Sequence, residues 1–199
     1  MTVLNVESTA LASLLLQLRL ASVAEREVLE SRAVYGDASL VELLEFAHQQ
    51  GWVRHVGGLV SGWTLTPQGR VRGHQLLRSE LVREDGLAVL FETFAPLNHR
   101  FLELVSSWTS ELQRGMDSVA HAQYLNRLEQ SHVAVVRLLA NLGSHSPRFG
   151  VYQVEFNEAL EHIRVGDDEW LARPNLRSYH TVWFELHEHL LAVSGRERG

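Results

Sequence analysis

The order of breaks and apolar residues between Ser39 and Arg70 constrains the fold more than any other feature of the 199-residue chain. Leucines at helical spacing end at Gly51, a natural C-terminal stop for a helix. A strand pattern, a glycine-rich tip and a returning strand follow, and Pro67 then opens a new helix at the first position, where proline is tolerated. These five elements cover residues 39–50, 52–56, 57–62, 63–66 and the segment from Pro67 onward.

Two further helices are predicted before this segment. Residues 8–20 begin with Ser8 and Thr9 as capping residues and carry leucines at helical spacing, and residues 23–33 form a short second helix. The third helix then starts at a cap on Asp37 or Ser39. Three helices followed by a two-stranded ribbon with a glycine-rich tip are typical of a winged helix-turn-helix, which we place at residues 1–80.

Residues after Pro67 show no strand pattern. Apolar residues recur at i, i+3 and i+4 in five segments: 67–84, 86–113, 117–143, 150–165 and 176–194. The fold class is therefore mainly α, with the winged helix followed by an all-helical domain. We expect residues 81–199 to form this second domain and to serve dimerisation or effector binding.

Composition excludes several classes of protein. The chain has no cysteine, which excludes a disulfide framework, a thiolate metal site and a cysteine nucleophile. No apolar run approaches the roughly 18 residues of a membrane span, so we expect a cytoplasmic protein without a membrane partner. The net charge is −6 and every strong cation is an arginine. This balance does not favour a non-specific nucleic-acid binder, which usually carries a basic face.

Two segments resemble a known group of regulators. GWTLTPQGR (62–70) looks like the wing-and-exit segment of MarR-type winged-helix regulators, which commonly read L-T-x-x-G there. Residues 147–191 resemble the C-terminal part of actinobacterial proteins identified as MarR-like transcriptional regulators, so that the resemblance covers nearly the whole chain. It implies a homodimer, a double-stranded DNA operator and a small-molecule effector.

The third helix and its flanks supply the candidate DNA contacts. The helix face opposite Leu40, Leu43, Leu44 and Ala47 offers base- or phosphate-contacting side chains, and arginines and a histidine lie on and beyond the wing. The candidates are Ser39, Glu42, His48, Gln49, Arg54, His55, Arg70 and Arg72. Glu42 and Glu45 oppose this interpretation, because carboxylates repel a groove lined with phosphates.

The helix SYHTVWFELHEHLL (178–191) is the candidate ligand site. Aromatic walls with a few polar groups are typical of small-molecule pockets, and Trp108, Tyr179, His180, Trp183 and His187 could form one. The alternative is a core in which the histidines donate hydrogen bonds to neighbouring helices. The spacing of seven between the two histidines is too long for one metal ion. Asn98 either bonds across the bundle or lines the same pocket, and Glu185 with His189 is expected to form a surface pair.

The remaining polar groups give no sign of catalysis. Asp167, Asp168 and Glu169 most simply favour the N-terminus of a short helix carrying Trp170, and otherwise resemble a weak acidic cation site. No phosphate loop, catalytic triad or paired-carboxylate motif is present, so we expect no enzyme, no cofactor and no metal. The leading hypothesis is a homodimeric, effector-responsive transcriptional regulator of MarR-like type. The second is a winged-helix protein-interaction or small-molecule-sensing module without DNA binding.

Overall fold

The computed structural model describes residues 2–32, 39–59, 61–81 and 86–196. Over these residues the chain is mainly helical and carries a small two-stranded antiparallel sheet. It divides into two compact units, of which the first comprises Met1–Leu81 with His187–Gly199 and the second Val82–Leu186. Among the described helices, none is both long and apolar enough to span a membrane.

The first unit contains four helices and the sheet, together with the end of the last helix. Its elements are α1 (Thr2–Ala21), α2 (Arg26–Arg32), α3 (Leu40–Gln49), β1 (Val53–Val56), β2 (Gly62–Leu65) and α4 (Pro67–Ser79). The expected helix start at Ser8 and Thr9 is wrong, because α1 already begins at Thr2. Residues 2–7 contain neither glycine nor proline, so nothing in them stops the helix.

The sheet pairs β1 with β2 in the predicted antiparallel ribbon, with Val53 opposite Leu65. Ala24, between α1 and α2, adds an isolated bridge to this ribbon that the sequence pattern did not indicate. The Ala24 amide donates to the Trp63 carbonyl at 3.0 Å, and the Trp63 amide donates back at 2.8 Å. A Cβ at Gly62 would lie 2.6 Å from the Ala24 carbonyl oxygen, so this close backbone approach requires glycine.

The segment TPQG (66–69) joins the sheet to α4 through three features. Thr66 is the N-cap of α4, where its Oγ1 accepts from the Gly69 amide at 3.0 Å and donates to the Gly51 carbonyl at 2.6 Å. Pro67 occupies the first turn. A Cβ on Gly69 would lie 1.9 Å from the Trp52 carbonyl oxygen, so the helix packs against the start of the ribbon at glycine-only distance.

A buried ion pair lies inside the first unit. Arg19 is only 7% exposed, and its Nε lies 3.4 Å from Oε2 of Glu188, which is 8% exposed. The Arg19 guanidinium also donates to the Arg196 carbonyl at 3.0 Å. Arg19 is therefore a structural cation and is not available to a ligand at the surface.

The second unit is helical throughout its described residues. It contains α5 (Leu87–Arg114), α6 (Ser118–Gly143), a 3-10 turn (Pro147–Phe149), α7 (Gly150–Arg164), α8 (Glu169–Ala172) and the first part of α9 (Tyr179–Ser194). These bounds agree with the predicted helical segments to within a few residues. Pro96 lies inside α5, where it removes one backbone hydrogen bond, and Asp117 caps α6 by accepting from the Ala120 amide.

Candidate functional site

The helix α3 presents a mixed acidic and apolar face to solvent. Its buried side consists of the four predicted residues, Leu40, Leu43, Leu44 and Ala47. His48 is exposed, and the other exposed residues of the helix, called the α3 face below, are Val41, Glu42, Glu45, Phe46 and Gln49. Four of these follow at i, i+3, i+4 and i+7, so they lie along one stripe of the helix. Ser39 is exposed at the N-cap position and makes no capping hydrogen bond through its side chain.

Phe46 is the residue of this face that the sequence analysis did not select. Its side chain is 46% exposed, and its ring meets the edge of Trp52 with centroids 5.7 Å apart. Beside Trp52 a shallow depression is lined by Gln68, Val71, Arg72 and Gln75. Val71 is 58% exposed. The position of Phe46 on the stripe of Glu42 and Gln49 is the sequence signal that could have identified it.

Three of the predicted DNA contacts are engaged in interactions within the first unit. The Arg72 guanidinium lies 5.2 Å above the Trp52 ring, and it also contacts Gln75. His48 Nδ1 lies 3.1 Å from the Val53 carbonyl oxygen. The rings of His48 and His55 both stand edge-on to Trp63, at 5.7 and 5.3 Å.

Two predicted contacts, Arg54 and Arg70, are exposed on β1 and at the start of α4. The surrounding surface is acidic. On α2, α3 and the turn before α2, five exposed carboxylates belong to Glu25, Glu27, Glu30, Glu42 and Glu45. Arg26 lies among them, with its Nε 3.4 Å from Glu30. The exposed charges whose side chains are described on these elements therefore sum to a negative value, even with Arg54 included.

The predicted ligand residues on α9 are mostly buried in an aromatic core. Trp183 is 1% exposed and Tyr179 is fully buried. The Trp183 ring stacks on Phe101 with centroids 4.1 Å apart, and Phe156 contacts Tyr179 at 4.7 Å. Trp108 is also fully buried, but its ring neighbours are His121 and Tyr124. The structure therefore brings Tyr179 and Trp183 together and places Trp108 in a different cluster.

Polar partners satisfy the two buried aromatic residues of α9. The Trp183 indole donates to Asn98 Oδ1 at 2.8 Å, which confirms the bond across the bundle expected for Asn98. The Tyr179 hydroxyl lies 3.1 Å from His132 Nδ1. Burial raises the pKa of Tyr179 far above its usual value. Burial also lowers the pKa of His132, against a smaller opposing effect of a hydrogen bond to Asn157.

Two predicted histidines of α9 belong to different units. His180 is half-buried and faces Phe101, with ring centroids 6.1 Å apart, and His187 is half-buried in the first unit. The expected surface pair of Glu185 and His189 is wrong, because these residues are 7% and 1% exposed. Glu185 and His189 lie beside the apolar residues of α9 and are buried together with them. Within the described residues, no group of three or more potential ligands could hold a metal ion.

Arg177 forms an ion-pair network that the sequence pattern did not reveal. It donates to Glu185 Oε1 at 2.6 Å and to Glu155, and so connects the segment before α9 to α7 and α9. Burial raises the pKa of Glu155, although the charge of Arg177 opposes this shift. The network links three segments of the second unit through half-buried and buried charges.

The acidic turn at residues 167–169 also has internal partners. Asp168 precedes α8, as expected for an acid near a helix start, and its Oδ1 lies 2.9 Å from His121 Nε2. Trp170 stacks flat on His162 with ring centroids 3.8 Å apart. The carboxylate of Asp168 thus interacts with His121. The ring contact of Trp170 is with His162, whereas Tyr179 and Trp183 contact each other.

Comparison with known proteins gives no match. No protein-family model matches the chain, and neither a curated protein nor a solved structure is significantly similar to it.

Proposed function

We propose that the first unit is a winged helix whose α3 face binds a basic, amphipathic segment of a partner protein. The succession of three helices, a ribbon and a fourth helix supports the winged-helix assignment. The combination of carboxylates and exposed apolar side chains on α3 carries the proposal about its ligand.

Charge determines which kind of partner this face suits. Glu42 and Glu45 are both exposed one turn apart, and no described basic side chain forms an ion pair with either of them. A ligand with lysine or arginine at matching helical spacing would pair with both carboxylates. Electrostatic complementarity of this kind chiefly gives specificity and fast association.

Apolar contacts supply the anchor for such a segment. Phe46 projects beside Trp52, and the neighbouring depression is walled by Trp52 and Val71. A leucine or phenylalanine on the same helix as the basic residues could occupy this depression. Interface energy is usually concentrated in a few aromatic or apolar anchors of this type. The proposed occupant is therefore an amphipathic helix with one basic face and one apolar face.

Duplex DNA fits the same surface poorly. DNA carries one negative charge for about every 1.7 Å of its axis, and binding gains free energy by replacing counterions with arginine or lysine. Here the helix that would enter the major groove offers two carboxylates, a valine and a phenylalanine beside His48 and Gln49. Arg72, a candidate phosphate contact, has its guanidinium 5.2 Å above the Trp52 ring.

DNA-binding regulation remains the second candidate because Arg54 on β1 and Arg70 on α4 are exposed. In that case the protein would act as a homodimer of MarR-like type on two symmetric half-sites, with an effector bound by its helical part. A salt titration with random duplexes tests this candidate. Tight, salt-sensitive binding that is weakened in R54Q and R70Q would favour it over the protein partner.

The proposed function is tested with an 18-residue lysine–leucine amphipathic peptide as the probe. Binding to the full chain is followed by calorimetry, with a glutamate–leucine peptide of the same apolar spacing for comparison. We expect F46A to weaken binding of the basic peptide roughly tenfold, because it removes the apolar anchor.

The matched control is V154A, which truncates a 67% exposed valine on α7 in the second unit. This variant should bind the basic peptide as the native chain does. Equal weakening in F46A and V154A, or equal binding of the acidic peptide, would show that the peptide adheres without using the α3 face. Circular dichroism of each variant confirms that its helices are retained.

A further inference from the structure

A small cavity opens in the second unit where α5, α6 and α9 meet. Its volume is about 240 Å³. Leu97 and Leu104 of α5 and Trp183 of α9 form the apolar part of its lining, and Arg100, Arg127 and Gln130 provide polar groups. It is distinct from the α3 face, which belongs to the first unit.

The two arginines of this cavity are not paired with acids. No described carboxylate lies within ion-pair distance of Arg100 or Arg127, although Arg100 donates to the Pro96 carbonyl at 3.2 Å. Other arginines of the same unit do have carboxylate partners: Arg114, Arg164, Arg173 and Arg177. Two guanidinium groups therefore line one cavity, and neither forms an ion pair with a described carboxylate.

The carboxylate of Glu103 also lines the cavity, but it does not neutralise the charge of both arginines. Glu103 Oε1 lies 3.2 Å from His99 Nε2, on the same helix. Glu103 is one turn from Arg100 in sequence but forms no ion pair with it. The charged lining groups thus comprise two guanidinium ions and one carboxylate that already has a neighbour.

Arg127 is held in position by its neighbours on α6. Its guanidinium lies 5.4 Å from the centre of the Tyr124 ring, which restricts the orientation of the long side chain. Ser131 Oγ donates to the Arg127 carbonyl at 3.1 Å, so the hydroxyl is turned toward the helix backbone. The planar guanidinium fork is suited to bidentate binding of a carboxylate.

The size and apolar lining of the cavity limit the rest of the ligand. A volume of about 240 Å³ lies just below the roughly 300–1,000 Å³ of pockets that bind drug-sized molecules. Trp183 is held by stacking on Phe101 and by its bond to Asn98, so it forms a rigid wall. An ion without an apolar part would leave this wall in contact with water.

We propose that this cavity binds a small organic acid, with the carboxylate between Arg100 and Arg127 and the apolar body against Trp183 and Leu104. The proposal does not depend on what the α3 face binds. It assigns a ligand class, a small monocarboxylate, to a cavity that shares Trp183, but none of the other predicted residues, with the ligand pocket predicted from the sequence.

The test titrates benzoate and hexanoate into the full chain, with benzamide as the neutral match of benzoate and inorganic phosphate as an anion without an apolar body. Calorimetry gives affinity and stoichiometry, and quenching of tryptophan fluorescence reports contact near Trp183. We expect benzoate, hexanoate or both to bind saturably. Benzamide and phosphate should bind at least roughly tenfold more weakly.

Variants R100Q and R127Q should each weaken binding of the acid by roughly tenfold, because each removes a charged donor. R137Q is the matched control, since Arg137 is exposed on the same helix as Arg127 but does not line the cavity. The proposal is overturned if neither acid saturates below about 10 mM. Equal binding of benzamide or phosphate, or equal weakening in R137Q, would also overturn it.

Discussion

Phe46 and Glu42 lie four residues apart on one stripe of α3, and neither side chain suits a groove lined with phosphates. Their residue types were visible in the sequence, but the exposure of Phe46 was not. A phenylalanine in an amphipathic helix is usually placed on the buried side, so its residue type alone does not indicate an exposed position. The 46% exposure of its side chain shifts the balance toward a protein ligand.

At the contact between α4 and the ribbon, we predict that G69A lowers the free energy of unfolding by about 3 kcal/mol. Alanine would gain about 1 kcal/mol in helix propensity, but its Cβ would lie 1.9 Å from the Trp52 carbonyl oxygen, which is backbone and cannot move aside cheaply. Urea denaturation measures the change.

Gly57 provides the control for this substitution, because a Cβ there meets nothing within 4 Å. G57A should therefore change the stability by less than about 0.5 kcal/mol. Similar stabilities for G69A and the native chain would mean that α4 does not pack against the Trp52 carbonyl as described.

His132 gives a pH-dependent prediction. Burial lowers its pKa below the ordinary value of 6.5, so the unfolded chain binds a proton more readily than the folded one. The stability from keeping His132 neutral is fully present above pH 6.5 and is lost as the pH falls toward its folded pKa.

The native chain should accordingly lose stability more steeply between pH 7 and pH 5 than H132Q, which has no group that titrates at this position. Urea midpoints measured across this range give both slopes. Parallel slopes would show that His132 titrates in the folded chain as it does in the unfolded one.

Among the elements, the sequence predicted the ribbon and most helix ends closely, because these boundaries are local, but it placed the start of the first helix too late in the chain. Gly51 and Pro67 act on neighbouring backbone groups, and the structure shows the helix end and the helix start that they indicate. Partners that are distant in sequence could not be predicted this way. The Ala24 bridge to Trp63 joins residues 39 positions apart, and nothing in the local pattern around Ala24 indicates it.

The side-chain contacts of helix α9 likewise depend on residues that are distant in sequence. Its aromatic residues were recognised, but whether they line a pocket or fill a core depends on α5 and α7, which supply Phe101 and Phe156. Glu185 was expected at the surface because its helix position looked exposed. It is instead buried beside Arg177, a residue outside the helix.

We predict that R177Q destabilises the chain by roughly 2 kcal/mol, because it leaves the carboxylate of Glu185, whose side chain is 10% exposed, without its cation. The control is R173Q, which breaks an exposed i,i+4 pair with Glu169 and should cost less than about 0.5 kcal/mol. Thermal unfolding of the two variants compares them. Equal losses would show that burial does not strengthen the Arg177 network.

At the scale of the whole molecule, the sequence indicates two parts but not where the final residues belong. Residues from His187 onward group with the N-terminal unit, where Glu188 pairs with Arg19. That pairing joins residues 169 positions apart, so only the folded chain reveals it. The net charge of −6 predicts weak non-specific nucleic-acid binding, but it could not specify which surface carries the acids.

We expect the α3 face of the protein to bind a basic protein segment in preference to DNA. The most direct measurement compares the native chain with the E42K/E45K double variant, titrating each with the lysine–leucine peptide and with a labelled DNA duplex at two salt concentrations. The charge reversal at Glu158, an exposed acid on α7, serves as the control, E158K.

If the α3 face binds basic segments, the double variant should bind the peptide at least roughly tenfold more weakly and gain salt-sensitive affinity for DNA. The control E158K should change neither affinity. Tight, salt-sensitive binding of DNA by the native chain, with peptide binding unaffected by the double substitution, would contradict it.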